Sequence, residues 1–73
     1  MNLNEISRVQ TYLRQSFANN EVTIKPPETP TAPIEVYNGE EFIGVLYRDV
    51  DEGEVSYTLN ISILEEDLPP VSR

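Results

Sequence analysis

The chain has 73 residues, thirteen acidic and five basic, for a net charge of −8, and it contains neither cysteine nor histidine. Those two zeros exclude disulfides, thiolate nucleophiles, sulfur-ligated metal and the commonest general base. The acidic balance disfavours phosphate backbones and anionic membrane surfaces as partners.

A chain of this length has room for one domain, expected over residues 1–73, and buries only about 60–65% of its unfolded surface. At roughly 0.05–0.15 kcal/mol per residue its stability is expected at about 4–11 kcal/mol. No apolar run approaches the roughly 20 residues of a membrane span. The opening MNLNEISR lacks the basic start and apolar stretch of a secretory signal. The expected location is cytoplasmic.

The first element is a helix over about residues 3–18. Leu3, Ile6, Val9, Leu13 and Phe17 fall within an arc of roughly 120°, a single stripe suited to packing on a sheet. Asn2 with Glu5 three residues on resembles a capping box, and Asn19-Asn20 can close the helix in the left-handed conformation. Residues 21–25 alternate as a half-buried strand, with Val22 and Ile24 inward. The stretch 26–33, PPETPTAP, holds four of the six prolines and reads as a stiff extended loop.

Residues 34–37 form the second strand, followed by Asn38-Gly39, the strongest short hairpin signal. The third strand is expected over 41–50 and the fourth over 54–64, joined by a three-residue loop Asp51-Glu52-Gly53 with Gly53 in the left-handed position. That turn sets Tyr47 opposite Tyr57, Val45 opposite Leu59 and Ile43 opposite Ile61. Either reading of the Asn38-Gly39 turn keeps the same parity. The expected core face is therefore Ile34, Val36, Ile43, Val45, Tyr47, Tyr57, Leu59 and Ile61, with Val22 and Ile24 at an edge. Tyr37, Phe42 and Leu46 are left on the opposite face, where a single sheet covered by one helix is wet. They are the candidate interaction face. Leu64 with Leu68 and the prolines of the tail 65–73 is one candidate cover for it; a second copy or another protein is the second, and scattered exposure without a cover is the third.

No residue set reads as catalytic or cofactor-binding. Asp49, Asp51, Glu52 and Glu54 around Gly53 suggest a hard cation. The EF-hand spacing fails, however, because Gly53 falls at position five and Asn60 stands where a bidentate glutamate belongs. Glu40-Glu41 and the 65–67 run EED flank turns or lie in the tail, away from any cleft that would separate two carboxyl pKa values. The serines have no histidine to activate them, and Gly39, Gly44 and Gly53 make no phosphate cradle.

The segments EISRVQTYLRQSF and EVYNGEEFIGVLYRDVDEGEVSYTLNISILEEDL resemble a family of short uncharacterised proteobacterial proteins, a domain of unknown function with an EVY-x-x-x-EFIGVL strand pair. The resemblance covers nearly the whole chain, with the proline-rich loop as its variable part. It implies a stand-alone cytoplasmic domain and carries over no activity and no catalytic residue.

The fold class expected is α+β, an N-terminal helix packed on one face of a four-stranded antiparallel meander. The expected function is that of a small non-enzymatic interaction or regulatory domain. It would use a sheet face or strand edge, with a protein partner or a second copy and without cofactor, metal, nucleic acid, membrane or known small molecule. An enzyme binding a metal or small ligand at the acidic turn, and an acidic mimic of nucleic acid, are the alternatives.

Overall fold

In the computed structural model, which describes residues 1–71, Asn2 opens helix α1 (Leu3–Phe17). The Asn2 side chain accepts the Glu5 backbone N–H at 2.8 Å, and the Glu5 carboxylate accepts the Asn2 N–H at 3.2 Å. This reciprocal pair satisfies two donors that a helix start leaves open. Ala18, at φ 50°, ends the helix one residue before the expected asparagines. Asn19 instead ties the chain to the sheet: its amide donates to Asn38 Oδ1 at 3.0 Å and its Oδ1 accepts the Glu21 N–H at 2.9 Å.

Four strands follow, β1 (Val22–Lys25), β2 (Ile34–Asn38), β3 (Glu41–Asp51) and β4 (Glu54–Ile61), each antiparallel to the next in the order β1-β2-β3-β4. The class is α+β, a helix on a four-stranded meander. The fourth strand stops at Ile61 instead of 64. A short 3-10 turn, Glu65–Asp67, closes the described chain, and the last two residues of the expected tail, 72 and 73, lie outside the described residues. No helix among the described residues is long and apolar enough to cross a membrane.

The core is one cluster: Ile6 and Leu13 from α1, Val22 and Ile24 from β1, Val36 from β2 and Leu46 from β3. Met1, Val9, Ile34, Ile43 and Leu59 pack around it. The ends of the expected helix stripe, Leu3 and Phe17, are exposed.

β3 is where the expected faces are overturned. The hairpin turn is two residues, Glu52-Gly53, with Asp51 paired to Glu54. Both turn residues have positive φ, 51° and 83°, the mirror-image turn whose twist matches that of the flanking strands. Losing one loop residue shifts the register by one, so Leu46 pairs with Leu59 and Arg48 with Tyr57. On the other side, Tyr37 pairs with Phe42 but Val36 pairs with Gly44, and Ile43 is the extra residue of a bulge. Bulge and short turn each move β3 by one residue, so its parity changes relative to both neighbours together. Leu46 is consequently 3% exposed beneath α1, while Tyr47, expected in the core, is exposed on the far face. Gly44 fits this arrangement because a Cβ there would collide with the Asn60 carbonyl oxygen.

Candidate interaction surface

A sheet has two edges, and this chain treats them differently. At the β1 edge, α1 supplies polar side chains in place of a missing strand. Gln10 accepts the Ile24 N–H at 3.0 Å, and the Arg14 guanidinium donates to the Val22 carbonyl at 2.7 Å. β1 is only four residues long and runs into Pro26-Pro27. An edge that is short, side-chain-bonded and proline-terminated is closed to further pairing.

The β4 edge has none of these protections. Its eight residues, EVSYTLNI, contain no proline and no basic side chain. Among the described residues no strand pairs with it outside β3, and no loop backbone bonds to it. Residues flanking a two-residue hairpin turn exchange both backbone bonds, and the pairs alternate from there. Glu54, Ser56, Thr58 and Asn60 therefore direct their backbone groups to β3. Val55, Tyr57, Leu59 and Ile61 direct theirs outward.

The side chains of that second set lie on the helix side. Because α1 lies over β1, it leaves Val55, Tyr57 and Ile61 largely open, while Leu59 packs in part against the core. An open groove runs between α1 and β4, lined by Glu5, Arg8, Val9, Tyr12, Leu13, Leu46, Val55, Tyr57 and Leu59. One wall is clipped by Glu5: the Tyr57 hydroxyl donates to Glu5 Oε2 at 2.6 Å and Arg48 Nε donates to the same oxygen at 2.7 Å. The Tyr57 hydroxyl, then the Asn2 backbone N–H, then Arg48 hold the Glu5 carboxyl down to about 2. Sharing its proton toward Glu5 pushes the Tyr57 phenol up, and the carboxylate likewise raises Arg48. Both partners come from the β3–β4 hairpin, so the clip anchors the hairpin to the helix start.

Of the sequence-derived candidate face, Tyr37 and Phe42 are together on the far side, ring centroids 5.7 Å apart and edge to face at 73°. Tyr37 also donates to Glu35 at 3.2 Å. Leu46 is not with them; the register of β3 turns it to the helix side, into the core cluster at the floor of the groove. Leu64 and Leu68 do not cover this face either, since both are more than half exposed. Asp49, Asp51, Glu52 and Glu54 are all exposed around the turn, and no group of three or more such ligands converges among the described residues. The sequence signal for this asymmetry is the β4 stretch itself, free of proline and lysine over eight residues.

The architecture defines a small α+β domain, a single helix over one half of an antiparallel meander. Within that class the chain belongs to the family described as Protein of unknown function (DUF3126), whose profile matches residues 5–67. That span takes in every strand, the Glu5 clip and the 3-10 turn. No curated protein and no solved structure was found to match the chain.

Proposed function

We propose that this chain is a non-enzymatic protein-binding domain, acting in the cytoplasm, that accepts a strand along the outer edge of β4. The observation that carries this reading is the contrast between a β1 edge closed by Gln10 and Arg14 and an open eight-residue β4 edge beside an unroofed apolar groove. Strand addition takes affinity from main-chain hydrogen bonds and specificity from pockets for alternate side chains. β4 offers both, with Val55, Tyr57, Leu59 and Ile61 supplying outward backbone groups and apolar side chains at once.

The test is capture of partners by tagged protein in three forms: wild type, Val55→Lys/Ile61→Lys, and Tyr37→Ser/Phe42→Ser. Lysine on an exposed edge blocks pairing without disturbing the core. Binders lost with the β4 variant and kept with the far-face variant, together with slowed amide exchange at Val55, Tyr57, Leu59 and Ile61 in the complex, are the expected result. A bound set indifferent to the β4 substitutions would sink the proposal.

A further inference from the structure

We infer that the strand received by β4 is the β4 of a second copy, antiparallel about a two-fold axis through Thr58, giving a continuous eight-stranded sheet with both helices on one face. The inference rests on reading β4 as a binding edge and adds the occupant and its register.

The edge is complementary to itself. With Thr58 facing its own counterpart, Tyr57 pairs with Leu59 of the second copy and Val55 with its Ile61. Every one of these residues has its backbone groups turned outward, so the ladder closes without an unpaired group over the strand. On the far face Ser56 meets Asn60 and Thr58 meets Thr58, polar against polar. Glu54 falls beside Ser62, so no carboxylate directly opposes another within the strand.

The groove is completed by the same operation. Val55, Tyr57, Ile61 and Tyr12 are 45%, 38%, 44% and 66% exposed. On side chains of this size that is on the order of 400 Å² of bare surface per copy, about half of the ~800 Å² that each partner buries in a standard interface. The strand backbone and the polar far-face side chains add to it. Pairing sets the two bare strips side by side between two helices. It also closes the assembly, because the outer edges of the joined sheet are then the two β1 strands, each already blocked by Gln10 and Arg14. A different protein strand would fill one edge but would leave its own second edge to be managed.

The chain has no cysteine, so single cysteines read the register directly. Thr58 would sit at a non-hydrogen-bonded pair, where Cα atoms are ~4.5 Å apart, within disulfide reach. Two Ser56 residues would be separated by about 13 Å, four residues of strand, and could not link. The expected results are a solution mass twice that of the 8.3 kDa chain, efficient oxidative cross-linking of Thr58→Cys, and cross-linking of Ser56→Cys with Asn60→Cys only when the two are mixed. Thr58→Lys and Thr58→Glu should each weaken self-association several-fold and recover it in a one-to-one mixture. Because each copy carries −8, added salt should tighten the dimer, whereas a basic partner would be released by salt. A monomer at all concentrations would overturn the inference, as would cross-linking of Ser56→Cys alone as readily as Thr58→Cys. If that monomer still binds other proteins through β4, strand acceptance stands and only the identity of the occupant falls.

Discussion

Glu5 does three jobs with one side chain: it closes the capping box, accepts the Tyr57 hydroxyl and pairs with Arg48. Its carboxyl is held at about 2, below an ordinary value of 4.5. A carboxyl lowered on folding adds stability that is fully present above its unfolded pKa and disappears as pH falls through the folded one. Wild-type protein should therefore lose a stabilising increment between about pH 4.5 and pH 2 that Glu5→Gln never has. The comparison is between their thermal midpoints across that range, since the other carboxyls titrate in both. Parallel curves would mean that the clip does not operate in solution. The Asn2–Glu5 spacing announced the cap in advance. Arg48 and Tyr57 could not be announced, because their meeting with Glu5 depends on the face that β3 presents.

At the scale of elements, what was legible followed from local pattern and what was not followed from two turns. The alternation of β1, β2 and β4 placed Val22, Ile24, Val36 and Leu59 on the helix side, where the structure has them. β3 has apolar residues at consecutive positions from Phe42 to Leu46 apart from Gly44, so its pattern fits either face. The choice is made by Glu52 entering the left-handed region and by the Ile43 bulge, neither of which its residue type demands. The closed β1 edge was hidden for a related reason: a glutamine and an arginine on a helix carry no mark of the strand edge they bond, because that depends on where the helix is set. The reassigned face has a sharp consequence. Leu46→Ala should cost about 2–5 kcal/mol, a large share of the whole stability, while Phe42→Ala, at a half-exposed ring, should cost about 1 kcal/mol. Denaturant midpoints at unchanged slope measure both. Equal losses, or a greater loss at Phe42, would restore the opposite assignment of β3.

The whole molecule is long and thin-cored. It measures 47 × 27 × 24 Å, and among the described residues six buried side chains, none of them from β4, carry its hydrophobic cluster. A domain this small gains little from its own core, and joining two copies along β4 would bury the apolar strip that α1 leaves bare. Binding that exists only in the folded state raises apparent stability by mass action, so the thermal midpoint of the wild type should rise with protein concentration. Thr58→Lys lies outside the core and should leave the low-concentration midpoint almost unchanged while flattening that rise. Both outcomes come from one melting series over about a hundredfold range of concentration that starts where the copies are apart, across which the dimer's added stabilisation grows by less than the roughly 2.7 kcal/mol that a hundredfold excess over Kd supplies. A wild-type midpoint independent of concentration would show that the hairpin stands on the Glu5 clip and the β3 pairing alone, with the β4 edge left for a different chain.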